Sequence, residues 1–418
     1  MSKQAEKKKR KWPIFLIVIV LLVIAGYVSW ALTAAVPSIR PTKTIKTTIG
    51  TVPGVQLPWP SYGQSAIGIN DLGVIDTFGA QKPAPTASVA KIITALCVLQ
   101  KYPLNSGQVG PTITLNQSDV VLYDLYQTED GSDTLVYGGE QLSEYQMLEA
   151  MLLPSADNIA DSLAIWAFGS LANYSTYANQ YLKDHGLTNT HVGSDASGFN
   201  PTTTSTASDL VKLGQTAMDD PVISGIVAKP SVSGIPAVGT IKNVNKLLGQ
   251  SNIVGIKTGN SDQAGGVYLS ASKIPVNDQL ITIITAVMQA PTLYDAMYNS
   301  LPLIEAAQAN FSDSPTVANI QRGAIVGEYT VPWDKQKITA IASQPVQIVS
   351  WGGSEVAESI SLKSISYKSQ PNEVVGTITT TSDLLKTSKT TAAILSQSPG
   401  APSKWWTLTH PGSFIHIL

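Results

Sequence analysis

At 418 residues the chain is too long for one ordinary hydrophobic core, so two or more domains are expected. With 43% apolar and 13% charged residues it is globular, and its net charge of −2 conceals an asymmetry: the first twelve residues hold six cations against Glu6, leaving −7 on the remainder. A mildly acidic body argues against a nucleic-acid partner, which needs a basic face, and the single cysteine, Cys97, excludes an intramolecular disulfide and a cysteine-only zinc site.

The first element in chain order is an apolar run. No residue from Pro13 to Val36 is charged, and roughly 24 residues rising ~1.5 Å each cover about 36 Å, enough for a ~30 Å hydrocarbon core. The Lys/Arg cluster precedes this run. The positive-inside rule then leaves residues 1–12 in the cytoplasm, makes 13–36 a single transmembrane helix in the cytoplasmic membrane, and exports everything that follows. Trp12, Tyr27 and Trp30 suit interfacial positions. A cleaved signal peptide is the second reading, because Thr33-Ala34-Ala35 is a small-residue patch after an apolar core. The stretch is long for a signal sequence, which favours a retained anchor, and both readings place the body outside the membrane.

Residues 37–60, rich in Thr, Pro and Lys without apolar periodicity, predict a linker. Two alternating runs, Ser65–Ile69 and Val74–Phe78, joined by Asn70-Asp71-Leu72-Gly73, predict a β-hairpin. Thr86–Lys101 has apolar residues on nearly every side and no Gly or Pro, so it predicts a buried helix capped by Thr86 or a neighbour. A polar stretch is followed by helical patterns at Gln141–Leu153, Asn158–Gly169, Tyr174–His185 and Ser208–Met218, the third stopped by Gly186. Asn252–Ile256 and Gly266–Ser270 predict paired strands, and Leu280–Met288 a third. Helices bracketed by strands predict one α/β (α+β) domain over 61–311. From 312 to 418 the composition changes. Ala324–Thr330, Lys337–Ala342, Val346–Ser350, Ser359–Tyr367 and Val374–Thr379 are short and β-branched, which predicts a small all-β domain.

Three motifs carry chemistry. In Ser88-Val89-Ala90-Lys91, residues three apart share a helix face, so the Lys91 amine can reach the Ser88 hydroxyl and activate it. Alone, such a tetrad is most often a surface helix turn. Ser155 follows Pro154 between two helices, where a serine can shuttle a proton or cap the helix starting near Asp157. Lys257-Thr258-Gly259 sits on an expected strand, where a cation and a hydroxyl can hold a carboxylate and Gly259 lets the backbone approach a ligand; the plain alternative is a turn with an exposed lysine.

In that order the three motifs form the set found in β-lactamases and penicillin-binding proteins. The chain resembles one branch of that group, the serine-type D-Ala-D-Ala carboxypeptidases or low-molecular-mass penicillin-binding proteins. The likeness covers roughly 65–310. It is carried by TASVAKIITA, GGEQLSEYQMLEAMLLPSADNIADSLA, LKDHGLTNTHVGSDASGFNPTTTSTASDL and, most specifically, GIKTGNSDQAGGVYLSA. The resemblance implies that Ser88 is the acylated nucleophile, Lys91 its base and Ser155 the relay to the leaving D-alanine. It implies substrate contacts for Asp157, Lys257, Thr258, Gly259 and Asn260, with Lys257 and Thr258 on the terminal carboxylate. The N–H groups of Ser88 and Asn260 would form the oxyanion hole. No metal or organic cofactor is implied. The implied partners are a peptidoglycan stem peptide ending in D-Ala-D-Ala, β-lactams as inhibitors, and the membrane through the N-terminal helix. The chain departs from the family in two places. Asp157 stands where the family usually has Asn, with Asn158 next to it, and the C-terminal segment SPGAPSKWWTLTHPGSFIHIL is broken by Pro and Gly where relatives often carry an amphipathic helix. Trp405 and Trp406 in that segment are expected either to pack on the β domain or to touch a partner.

Other classes fit less well. There is no Gly-x-Ser-x-Gly elbow, the histidines His185, His191, His410 and His416 form no motif, and His-Glu-x-x-His is absent. His185 before Gly186 reads as a helix C-cap, and Cys97 as core. No glutamate lies between the second and third motifs, which counts against a class A β-lactamase. Other β-lactamases, and a penicillin-binding sensor or wall-binding scaffold, remain as alternatives.

Overall fold

A computed structural model describes residues 12–46, 56–70, 72–276, 279–313, 318–348, 351, 356–382 and 387–411. The cation cluster of residues 1–11, Asp71 of the first hairpin, Ser350 and His416 lie outside the described residues. In chain order the main elements begin with helix α1 (Trp12–Thr33), strands β1 (Pro41–Thr44), β2 (Gln64–Ile69) and β3 (Gly73–Phe78), and helices α2 (Lys91–Lys101) and α3 (Gln117–Thr128). Helices α4 (Glu144–Leu152), α5 (Asp157–Phe168), α6 (Leu171–Asp184) and α7 (Ala207–Asp219) follow, then strands β4 (Ile253–Ser261), β5 (Gly265–Val276) and β6 (Gln279–Ala290) and helix α8 (Ser300–Asp313). The last part holds β7 (Ile325–Thr330), β8 (Lys337–Ala342), β9 (Val356–Leu362), β10 (Val374–Ser382), β11 (Thr387–Leu395) and α9 (Lys404–Thr409). These fold into two compact units, one of residues 53–315 with 351–353, the other of 1–52, 316–350 and 354–418.

The larger unit is α+β. Its antiparallel sheet runs β4-β5-β6-β2-β3. Side chains alternate between its faces, and both faces are covered. Ile256, Leu269, Ala271, Ile284 and Ala286 join the core that includes Leu210, Val211 and Leu213 of α7. Ile253, Tyr268 and Val287 join a second core with Ile304 of α8. A sheet buried on both sides reads as an unbroken apolar run rather than an alternating one, which is why Leu280–Met288 looks continuous. Gly214 lets α7 lie close to the sheet, since a Cβ there would come within 2.8 Å of Ile284 and 3.1 Å of Ile256 and Leu269.

Local chemistry sets the helix ends. Asn116 and Ser143 each close a capping box, with Asp119 and Gln146 respectively. Thr206 caps α7 by accepting from the Asp209 N–H. The expected helix from Gln141 begins instead as a short strand, Gln141–Ser143, paired with Thr112–Thr114, and turns helical only after the Ser143 cap. Helix α3 lies in the stretch read as merely polar; one side of it is exposed, so its apolar signal is thin. His185 is the C-cap of α6, its Nδ1 2.8 Å from the Tyr181 carbonyl oxygen, and Gly186 follows with φ 71°.

The smaller unit holds a six-stranded antiparallel sheet, β1-β7-β8-β11-β10-β9. Strand β11 carries no early signal in the sequence, because Ser388–Thr390 are exposed and the apolar residues begin only at Ala392. The segment read as a linker contributes to this sheet. Pro41–Thr44 pairs with β7, and Ile39 bridges Ile365 and is buried in the core with Val326, Tyr329 and Ile338. A single buried isoleucine followed by Thr and Lys on an edge strand has no detectable period, so composition alone reads as linker. Helix α1 begins one residue early, with Pro13 inside its first turn, and ends at Thr33. It is the one helix among the described residues long and apolar enough to cross a membrane. The Pro/Gly-broken tail forms a short helix, α9, capped by Ser403. Trp406 packs edge-to-face on Trp333 at 5.8 Å, as one of its two expected roles required, while Trp405 is 75% exposed. The Tyr27 hydroxyl donates to the Leu408 carbonyl at 2.5 Å, linking α1 to α9.

Ile39→Ala in the full chain is expected to destabilise the smaller unit by about 2–4 kcal/mol, as for other buried Ile truncations. Denaturant unfolding followed by tryptophan fluorescence measures this; an unchanged midpoint would show that the segment is a passive tether.

Candidate active site

The nucleophile segment does not form the single capped helix expected from Thr86 to Lys101. Ala87–Ala90 is a 3₁₀ turn, and the α-helix starts at Lys91. Thr86 caps nothing, and its hydroxyl donates to the Ala87 and Thr203 carbonyls at 3.3 and 3.4 Å. Ala87 has φ 45° and Ser155 φ 71°, conformations that cost a non-glycine residue about 1–3 kcal/mol each and persist where surrounding structure enforces them. At Ala87 the enforcement is visible. Gly198 approaches so closely that a Cβ there would sit 2.1 Å from the Ala87 carbonyl oxygen, and one on Gly259 would sit 2.9 Å from Thr86 O and 3.2 Å from Ser88 N.

Lys91 is fully buried, and its Nζ donates to Ser88 Oγ at 2.8 Å, to Asp157 Oδ1 at 2.5 Å and to the Ser197 carbonyl at 3.1 Å. Asp157 begins α5, where a carboxylate is favoured by the helix dipole. Its second oxygen accepts from the Ser132 N–H at 2.8 Å, and its own N–H donates to Ser132 O at 2.7 Å. The ion pair is closed to water, so removing either partner leaves a buried charge at a cost of about 3–5 kcal/mol. Ser197 is positioned by Asp195, whose carboxylate accepts from the N–H groups of Ser197, Gly198 and Asn200 and from the Ser197 hydroxyl.

Ser155 is not a helix cap; Ala156 holds that position without a side-chain bond. Instead Ser155 Oγ accepts from Lys257 Nζ at 2.8 Å. Lys257 and Thr258 are neighbours on a strand and so project to opposite faces. The Lys257 amine is turned inward, 1% exposed, to Ser155 Oγ and the Thr258 carbonyl at 3.0 Å, whereas Thr258 lines a cavity. Burial first, and then the nearby Lys91 charge, push the Lys257 amine well below its ordinary pKa, with Asp157 opposing. Asn158 is turned away, bonded to both the N–H and the carbonyl of Thr134.

Two cavities meet at the nucleophile. One of about 140 Å³ is lined by Ser88, Ser155, Thr258, Gly259 and Asn260 among others. The other, about 490 Å³, adds Glu129, Asp130, Asp157, Phe199 and Asp262. Ser88, Ser132 and Asn260 line both. The structure therefore brings together all eight residues singled out from the motifs. Sequence reading missed Ser132, Ser197 and Gly198; the last two lie inside the GSDASGFN stretch, but Ser132 sits in a loop with no signal of its own. Among the described residues no three His, Cys, Asp or Glu side chains are grouped to hold a metal.

A serine hydroxyl held against a buried lysine, with a second lysine–serine pair opening on the same cavity, is an arrangement suited to acyl transfer. The chain belongs to the D-alanyl-D-alanine carboxypeptidase family, which it matches over residues 73–292. It is similar to the D-alanyl-D-alanine carboxypeptidase DacB2 of Mycobacterium tuberculosis, 29% identical over 194 residues, covering 45% of this chain and 62% of that protein. It is also similar to DacA of Haemophilus influenzae, 25% identical over 215 residues, covering 50% and 52% respectively. The chain thus spans less than two thirds of the length of either relative. Among solved structures, the Streptomyces K15 DD-transpeptidase shares the fold with a TM-score of 0.53 at 22% identity, over 63% of this chain and 99% of that one. Penicillin-binding protein 5 from Haemophilus influenzae does so with 0.54 at 19%, over 84% and 100%.

Gly259→Ala is expected to push β4 off the nucleophile turn and slow acylation of Ser88 by about 10²-fold, the cost of a misplacement near 1 Å, with little loss of stability. Stopped-flow acylation by a chromogenic β-lactam checks this; a wild-type rate would make the close approach incidental.

Proposed function

We propose that the protein is a serine-type D-alanyl-D-alanine carboxypeptidase that trims peptidoglycan stem peptides through an acyl-enzyme on Ser88 and is inhibited by β-lactams. The observation that carries this reading is the Ser88 hydroxyl, 2.8 Å from the buried Lys91 amine at the junction of two cavities. Ser88 Oγ attacks the carbonyl of the penultimate D-alanine while its proton passes to a buried lysine. Ser88 and Asn260 line the same cavity, and their backbone N–H groups would serve the oxyanion, a contribution worth about 3–4 kcal/mol per donor in comparable sites. Thr258 lies on the wall where the terminal carboxylate would rest. The departing D-alanine takes up a proton, and water then releases the trimmed peptide.

The apolar helix α1 supports a membrane anchor with residues 1–12 inside and the body outside, where stem peptides are exposed. The domain scheme that accompanies this reading is an α+β catalytic domain over 61–311 followed by a β-rich domain over 312–418. A second reading, a penicillin-binding sensor with little turnover, is favoured by one observation, the carboxylate of Asp157 occupying Lys91.

Fluorescent penicillin is expected to label the wild-type chain on the peptide containing Ser88, and Ser88→Ala is expected to abolish labelling. Incubation with a D-Ala-D-Ala pentapeptide should release one alanine, read by mass. Labelling without alanine release would favour the sensor, and undiminished labelling of Ser88→Ala would end the nucleophile assignment.

A further inference from the structure

We infer that Asp161, on the buried face of α5, is a positioning residue for the nucleophile: its carboxylate, oriented by Tyr126, anchors the turn of residues 195–200 against which Lys91 and the strained Ala87 both rest. The inference rests on the acyl-enzyme reading of the site. The turn's own bonds do not fix its place in the fold. The Asp195 carboxylate closes it internally, accepting from the N–H groups of Ser197, Gly198 and Asn200. Three bonds among the described residues tie Ala196 and Ser197 to the helices. The Ala196 N–H donates to Asp161 Oδ1 at 2.8 Å, the Thr94 hydroxyl of α2 donates to the Ala196 carbonyl at 2.6 Å, and Lys91 Nζ donates to the Ser197 carbonyl at 3.1 Å. Asp161 supplies the acceptor in this set. Gly198 follows directly and lies against Ala87, where a Cβ would meet the Ala87 carbonyl oxygen at 2.1 Å. A shift of the turn therefore moves a partner of Lys91 and the neighbour of Ala87 together, and Ser88 stands between those two residues.

A carboxylate is a costly group to use here. Asp161 is 2% exposed and follows Asp157 by four residues, so two acids share one helix face, an arrangement that opposes helix formation. None of the ion pairs among the described residues includes Asp161. Its second oxygen accepts from the Tyr126 hydroxyl of α3 at 2.7 Å. The Tyr126 ring meets Phe199 edge-on at 5.4 Å, and Phe199 lines the larger cavity. Both oxygens thus face donors. What the charge adds over a neutral side chain of the same shape is the strength of those bonds, since a hydrogen bond to an ionised acceptor is roughly twice as strong as a neutral one.

The charge is present over only part of the pH range. Burial pushes the Asp161 carboxyl up to about 7; the Tyr126 and Ala196 bonds oppose the rise, and Asp195 and Asp157 add to it. Around it stand Tyr126 from α3, Tyr174 from α6 and Asp195 from the turn. Burial pushes both phenols up, so they remain neutral hydroxyls. Helix α2 brings Cys97, whose thiol burial also raises, and Lys91, whose carboxylate partner is Asp157. Protonation of Asp161 puts a hydrogen on the oxygen facing Tyr126 and leaves a neutral oxygen for the Ala196 N–H, so the anchor weakens as pH falls through about 7. Stability runs the other way. The folded value lies above the ordinary 3.8, so the ionised group opposes folding, and stability is lost as pH rises through about 7.

The test compares the full-length wild-type chain in detergent with Asp161→Asn, whose amide keeps the shape and offers a neutral acceptor at every pH. Stopped flow with a chromogenic β-lactam gives acylation rates from about pH 5 to about pH 9, and the ratio of the two rates cancels every titration the chains share. The ratio is expected to be close to one at the acid end and about fivefold in favour of the wild type at the alkaline end, with its midpoint near 7. In thermal unfolding at the alkaline end, Asp161→Asn is expected to melt above the wild type. A variant more stable and yet slower cannot owe its loss to a weakened fold. A ratio that stays flat across the range would overturn the inference, as would a variant that is slower at every pH and melts below the wild type. Should Asp161→Asn fail to fold, Tyr126→Phe tests the same point, because it removes a bond that favours the carboxylate and keeps the ring on Phe199. The acid limb of acylation should then move to higher pH; a limb left in place would overturn the inference. A wild-type chain that forms no adduct on Ser88 would instead defeat the acyl-enzyme reading itself.

Discussion

The site depends on one buried ion pair. Taking Lys91 and Asp157 out of water costs several kcal/mol for each ion, and the pair is tolerable only because the remaining hydrogen-bonding capacity is also used. Lys91 spends its other donors on Ser88 and Ser197, and Asp157 spends its second oxygen on Ser132. Each satisfied group belongs to a different segment: the 3₁₀ turn before α2, the Asp195–Asn200 turn, the loop after α3, and the start of α5. The requirement that the charges be satisfied therefore ties together the segments that wall the two cavities. The same pair makes the centre sensitive, because a change at any of its partners strands a charge or moves a wall.

A second constraint comes from the sheet. With both faces buried, β4 cannot shift register by one residue without exchanging Ile253 for Ile256 between two cores, so the strand is pinned. That pinning fixes which way the lysine and threonine of the third motif point. Period-two alternation sends the Lys257 amine into the interior toward Ser155 and leaves Thr258 on the cavity wall. Ser155 lines the same cavity as Thr258, so the Lys257–Ser155 pair and the threonine side chain meet at one wall.

The smaller unit shows how few residues are needed to change the role of a segment. Ile39 and the four residues of β1 turn an apparent spacer into an edge strand, and that strand follows closely on α1. Under the membrane-anchor reading, the β unit is therefore held close to the bilayer surface instead of swinging on a free tether.

By itself, the sequence determined the elements with a strong period or an unmistakable composition. These are the apolar helix at the N-terminus, the first hairpin, helices α5 to α7, the central strands and most of the C-terminal ones. It also determined the order of three motifs, Ser88 to Lys91, Ser155 to Asp157, and Lys257 to Asn260, because spacing within a turn or strand sets which residues are near each other locally. The boundary inside Thr86–Lys101, the helix α3, the strands β1 and β11 and the use of Ser155 were not legible there, since each rests on partners far away in the chain. Thr86 takes up a bond to Thr203 instead of a cap, Ile39 finds Ile365, and Ser155 meets Lys257. Above all, only the tertiary structure decided which lysine meets a carboxylate. Asp157 is equally legible as a neighbour of either motif lysine, and packing of α2 against α5 alone puts it on Lys91. Charge pairing across sixty-six residues is a matter of three-dimensional distance, which no local pattern encodes.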